Sequence, residues 1–290
     1  MAISGRDSIM STEGIEFDRW HPRAFNAIQS FAVRYGLGIA LVIVWEYAAS
    51  KAGSIFFPPP SEILHRAATL WLSGPPSRLF LSDTVFQDVL PSLFRLLGGW
   101  ALAVLVGVPF GILIGRSRNL SYFVNPALQF LRAIPGPALI PVFIILLGTE
   151  STMRVTLIAF GTVWPILLNT IEGTRTVDPV QLDTVKAFRI PRHARLWRIV
   201  LPAAMPKIFA GMRVSLSLAV ILMVVSELVA STSGIGYRIQ NAQIMFLLTD
   251  MWCGIVLLAL IGYTLNWLFL KFEDRVLGWH RGARGRTAAS

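Results

Sequence analysis

The sequence predicts an all-α, polytopic membrane protein, a bundle of about six transmembrane helices. Three observations carry that reading. Only 14% of the 290 residues are charged and 54% are hydrophobic, with a mean hydropathy of +0.61, against roughly 25% charged in a soluble domain. The apolar residues are gathered into long runs, which a bilayer demands and a small globular core has no use for. Lys and Arg are distributed unevenly between the two sides that those runs define. An ordinary cytosolic enzyme is excluded by the same composition.

In chain order, residues 1–34 form a cytoplasmic N-terminal segment. Arg6, Asp7, Glu13, Glu16 and Asp18 make it too polar and too acidic for a secretion signal, and Phe25, Ile28 and Phe31 recur at helical spacing, as expected of a helix lying along the inner interface. A membrane domain then occupies 35–272, and a basic cytoplasmic tail 273–290. The first span is Tyr35 to Ala52. After it, Phe57-Pro58-Pro59-Pro60-Ser61 must leave the helix, because three prolines remove three donors, and Ser61 is placed to cap a short amphipathic helix reaching Leu72.

The clearest spans are Leu96 to Ile114 and Met251 to Leu270, 19 and 20 residues without a charge, each enough to cross about 30 Å of hydrocarbon. Val124 to Leu147, Val155 to Ile171 and Ile208 to Val229 carry a charge or proline inside, which a helix shielded by neighbours tolerates. Cys253, the single cysteine, lies in the last span and excludes an intrachain disulfide. With the N-terminus inside, only Lys51, Arg66, Arg78, Arg95, Arg154 and Arg238 of the 26 Lys and Arg fall on outer segments, leaving 20 inside. Both termini are therefore cytoplasmic. The net charge of +10 faces the inner headgroups and needs no nucleic-acid partner.

The longest inner connection, 172–207, holds a helical pattern outside the membrane. Asp178-Pro179-Val180-Gln181 reads as an N-cap, a proline at the first helical position and a glutamine reaching back. The helix runs to Phe188, roughly 15 Å, and presents Leu182, Val185 and Phe188 on one side before Pro191 ends it. An exposed apolar edge suits a protein partner; Lys186, Arg189, Arg192, Arg195 and Arg198 equally suit lipid headgroups.

From Asp183 the chain reads DTVKAFRIPRHARLWRIVLP. This resembles the EAA loop of ABC importer permeases, with Ile199, Leu201 and Pro202 at the offsets of its Ile-x-Leu-Pro half. Asp183-Thr184-Val185 stand in place of Glu-Ala-Ala, and Arg189 in place of glycine. An arginine there is either strained, since glycine normally supplies a left-handed helix end, or the helix ends by another route through Ile190-Pro191. Phe57 to Ser61, Leu131-Arg132-Ala133-Ile134-Pro135, Trp164 to Thr170, Gly211-Met212-Arg213 and Gly234-Ile235-Gly236-Tyr237 match, in order, the branch of nitrate, sulfonate, taurine and bicarbonate importers.

The resemblance implies the MetI-like fold of a type I importer in the bacterial inner membrane. It also implies a second copy of the chain, two ATP-binding subunits docked on the loop through Asp178, Leu182, Asp183, Val185, Phe188 and Arg189, and an extracytoplasmic binding protein that delivers substrate. This chain has no G-x-x-x-x-G-K-[ST] phosphate loop, so ATP and Mg belong to the partners. It has no His-Glu-x-x-His motif for zinc either.

Within the membrane, Glu46 and Glu227 must be protonated, paired or turned to a polar cavity. Ser226, Ser231 and Thr232 are candidate partners for Glu227, and a pathway role stands beside that structural one. Arg132 and Arg213 either snorkel or pair, or one of them attracts an anion with its bidentate guanidinium. Pro135 and Pro165 break or bend helices that then line cavities, and Ser217 is a further candidate for a conduit wall. The alternative to an ATP-driven importer is a proton-coupled transporter with Glu46 or Glu227 as relay.

Overall fold

The computed structural model describes residues 23–177, 180 and 187–278, and within these not the side chains of residues 23–35, 192 and 230. The chain divides after Ala52 into two units. The first carries α1 (Arg23–Ala52), which stops at Gly53, whose φ of 56° is the left-handed helix end that glycine adopts without a Cβ penalty. Lys51 turns back over the Tyr47 ring, 5.3 Å from its centroid.

The second unit begins with the outer connector. Pro59 is extended, and α2 (Pro60–Trp71) starts on Pro60, whose missing N–H costs nothing at a first helical position. The expected cap at Ser61 is thus two residues late: the N-cap is Pro59, without a side-chain bond. α2 docks on the start of α9 (Leu248–Val276). Arg66 grips Asp250 with two bonds of 2.6 and 3.0 Å, Trp252 Nε1 donates to Phe56 O at 2.9 Å, and the buried Cys253 thiol lies 3.3 Å from Ile63 O. Cys253 is a packing residue here.

The remaining helices are α3 (Leu90–Arg116), continued backward by a π-turn at Val85–Val89, α4 (Arg118–Ala133), α5 (Ile140–Leu147), α6 (Ser151–Arg175), α7 (Leu201–Ala230) and α8 (Ile235–Ile244). Among the described residues, four helical stretches are long and apolar enough to cross a bilayer: Val85–Arg116, Ser151–Arg175, His193–Val229 and Leu248–Val276. A fifth crossing arises only if α4 and α5 count together, and they are bent by 84°. Val124 to Leu147 is therefore not the single rod the hydropathy suggested. Pro135 and Pro137 remove two backbone donors within three residues, and the chain takes a 3-10 turn at Gly136–Leu139 before resuming.

The bundle closes on a seam of small residues. Gly99, Ala103, Gly107, Gly111 and Gly115 stand four apart along α3, and α6 lies against them. A Cβ added at Gly99 would sit 2.7 Å from the Ile158 Cβ, and one at Gly111 2.6 Å from the Thr170 Cβ. Such seams let backbones approach where lipid supplies no hydrophobic drive between helices. Thr162 and Thr170, buried in the seam, donate to their own helix at Ile158 O and Ile166 O, 2.6 and 2.7 Å away, so no hydroxyl is stranded. On its other side α6 meets α7, where a Cβ at Gly211 would fall 2.7 Å from Pro165 O. Leu96, Ile158, Phe209, Leu216, Leu222, Met223 and Phe269 fill the core between α3, α6, α7 and α9.

Candidate functional site

α3 begins and α7 ends on the side that the charge asymmetry assigns to the outside, and there the chain turns through Ser231–Gly234 into α8. Glu227, near the end of α7, has no exposed surface (0%), and Arg95 on α3 is 6% exposed. Arg95 Nη1 donates to Glu227 Oε1 at 2.8 Å. Ser92 Oγ lies 2.8 and 2.9 Å from the two carboxylate oxygens, and the Gly236 N–H donates to Oε2 at 3.0 Å. Arg95 also reaches Ser233 O and Oγ, both at 2.9 Å, and Ser151 Oγ at 3.1 Å.

The same cluster caps α8. A helix start leaves its first N–H groups without partners; here the Gly234 N–H donates to Asp88 Oδ1 at 3.0 Å, the Ile235 N–H to Ser92 Oγ at 2.9 Å, and the Gly236 N–H to Glu227. Arg238 closes the ring on Asp88 Oδ2 at 3.0 Å. Two carboxylates thus face the positive end of a helix dipole and two guanidiniums, which satisfies the charges that burial would otherwise penalise. Gly234 has φ 122°, and a Cβ there would lie 2.4 Å from Glu227 Cδ. This explains why the matching segment Gly234-Ile235-Gly236 needs its glycines beside an acid.

Beside this knot opens a cavity of about 680 Å³, whose wall includes Arg95, Glu150, Ser151, Arg154, Ser233 and Tyr237. Its lining mixes hydroxyls, amides and charges of both signs. Arg95 forms part of the wall of this outer polar chamber, while its partner Glu227 lies buried behind it.

The residues picked from sequence fall in separate places. Glu227 sits in the knot, but its partners are Ser92 and Arg95 rather than Ser226, Ser231 and Thr232; Ser226 Oγ donates to Met223 O at 2.8 Å, and Ser231 Oγ to Ser233 O. Arg213 forms an ion pair with Glu273, joining α7 to α9. Arg132 is exposed on the last turn of α4, Pro135 precedes the 3-10 turn, Pro165 lies inside α6 under Gly211, and Ser217 is exposed on α7. These do not converge on one wall.

On the inner side, Asp178, Leu182, Asp183 and Val185 lie outside the described residues. Phe188 is 76% exposed. Arg189 has φ 50°, so of the two routes considered for it, the chain takes the left-handed one. Ile199 is in a π-turn at Leu196–Val200, which runs straight into α7, with Pro202 near its start. Arg95 was missed as a functional residue: it was counted only as an outer charge, though a lone acid in a span asks for a cation at a span end. The glycine seam was missed as well, and its four-residue period was the signal.

A polytopic helical bundle closed on glycine seams, with a polar chamber at its outer end, defines a membrane transport protein. The model of the family described as binding-protein-dependent transport system inner membrane component matches residues 107–278, and the chain belongs to this family. It is the permease subunit of an ABC importer, a multi-pass protein of the bacterial inner membrane. Family membership replaces the proton-driven alternative built on Glu46 and Glu227.

Among its relatives is the taurine transport system permease protein TauC of Escherichia coli, 30% identical over 246 residues, 84% of this chain and 88% of TauC. The bicarbonate transport system permease protein CmpB of Synechococcus elongatus is 29% identical over 244 residues, 83% of this chain and 84% of CmpB. In fold, the chain is similar to one from the MetNI methionine ABC transporter in an inward-facing conformation, with a TM-score of 0.56 at 18% identity, covering 70% of this chain and 97% of that one.

Proposed function

We propose that this permease moves a small solute bearing an oxyanion group into the cytoplasm by alternating access, driven by ATPases that dock on the segment Asp178 to Arg189. Counting Tyr35 to Ala52 and the bent α4–α5 pair as one crossing each beside the four long helices gives six, an even number that returns the chain to the side it started from. One copy offers one docking segment, so two ATPases require a second copy or a sister chain. An extracytoplasmic binding protein delivers solute to the outer chamber, and ATP and Mg stay on the ATPases.

The observation that carries the coupling role is the conformation of Arg189. A left-handed arginine costs roughly 1–2 kcal/mol, and it stands where EAA loops have glycine, so the segment keeps the glycine's geometry at a cost in strain. Phe188, exposed beside it, supplies an apolar contact, and Ile199, Leu201 and Pro202 weld the segment's far end to α7, a rigid lever. The solute class is supported by the printed functions of TauC and CmpB, taurine and bicarbonate transport. Replacing Val185 and Phe188 together with Asp should release the ATPases on copurification; unchanged assembly and uptake would remove the docking role.

A further inference from the structure

The inner ends of α3, α4 and α6 frame a second cavity, of about 450 Å³, lined by Arg116, Arg118, Ser121, Tyr122, Asn125 and Arg175 along with Gly115. Among the described residues its lining holds three guanidiniums and no carboxylate. A further guanidinium outside the lining, that of Arg195, stands near enough to repel Arg116, and its Nε is buried with no hydrogen-bond partner among the described residues. Elsewhere arginines meet acids, as in Arg66–Asp250, Arg95–Glu227, Arg213–Glu273 and Arg238–Asp88. Gathered like charges repel unless something neutralises them.

The cavity is also organised. Arg118 donates through Nε and Nη2 to the Tyr122 hydroxyl, both at 3.2 Å, and Arg175 Nη2 donates to the buried Ser121 Oγ. Each guanidinium has five N–H groups, so these bonds fix the forks and leave donors for a ligand. α4 starts at this cavity, its end capped by Ser117, and a helix N-terminus favours negative charge.

We propose that this cavity binds a tetrahedral oxyanion of the phosphate class, presented by an inner-leaflet phospholipid headgroup or free at the cytoplasmic face. Planar guanidinium forks match such an anion through paired N–H donors. Arg175 closes α6 just before the coupling segment, so the bound anion ties the α3–α4 corner to the leading flank of that segment. This site is independent of the solute and docking roles proposed above.

The test uses the full chain without ATPases, so that no nucleotide site contributes. In neutral detergent, the unfolding midpoint is measured with inorganic phosphate against chloride at equal ionic strength. In nanodiscs it is measured in phosphatidylcholine alone and with phosphatidylglycerol. A saturable rise of about 2–4 °C with free phosphate assigns the soluble source, and a rise confined to phosphatidylglycerol assigns the headgroup; either supports the site. Arg116→Gln with Arg175→Gln should abolish the rise. Should that variant fail to fold, Arg116→Lys with Arg175→Lys keeps the charge and should shrink the rise severalfold. No rise over chloride in either arm, or an equal rise in the Gln variant, overturns the proposal.

Discussion

Arg95 and Glu227, 132 positions apart, meet at 2.8 Å with both side chains almost wholly withdrawn from solvent. The bond fastens the start of α3 to the end of α7 and, through Ser92 and Gly236, to α8. In this way the outer ends of two spans and a short helix become one body beneath the outer chamber.

Removing one partner of this pair should therefore cost far more than removing both. Glu227→Ala strands a buried guanidinium and is expected to lose about 3–5 kcal/mol, whereas Glu227→Leu with Arg95→Met should lose much less. Thermal unfolding of Glu227→Leu, Arg95→Met and the double variant, arranged as a double-mutant cycle, measures the coupling. A double-variant loss equal to the sum of the two single losses would show that the pair is not coupled.

The glycine seam makes a site-specific forecast. Gly111→Val drives a side chain into Thr170 and should prevent α3 from seating on α6, with folded protein lost from the membrane fraction. Gly98→Val, on the neighbouring face where an added Cβ meets nothing within 4 Å, should fold and transport. Fluorescence-detected size exclusion of the two variants gives the comparison.

Arg189 should be improvable. Arg189→Gly relieves the left-handed strain and is expected to retain ATPase copurification with a stability gain of up to about 1 kcal/mol. Arg189→Val, β-branched at φ 50°, should lose stability by a similar amount or more. If Gly and Val behave alike, the segment does not depend on that conformation.

Much of this fold was legible because the bilayer imposes a simple rule. Leu96 to Ile114 and Met251 to Leu270 fall wholly inside α3 and α9, since an uncharged run of that length has few other uses. The break between α4 and α5 is half legible: Pro135 marks it, but hydropathy averages over a bend and cannot report 84°. Pro60 outranked Ser61 at the start of α2 because a ring that fixes φ decides a helix start more firmly than a hydroxyl that can cap it.

The site was less legible, for a physical reason. Periodicity describes neighbours along one helix, whereas Ser92 and Arg95, which hold Glu227, stand on another helix, and the remaining bond comes from the Gly236 backbone N–H, which carries no side-chain signature. Local signals accordingly nominated Ser226, Ser231 and Thr232, the nearest hydroxyls in sequence. The cue that does survive is accounting: an acid inside a span must be matched, and Arg95 stands at the edge of a long charge-free run.

The account's central claim is that transport by this chain is powered from outside it. Proteoliposomes containing the permease, with or without its ATPases, with the binding protein outside and ATP inside, test this most directly. The account predicts solute accumulation only when ATPases and ATP are both present, unaffected by a proton uncoupler. Accumulation by the permease alone, or its collapse on uncoupling, would contradict it.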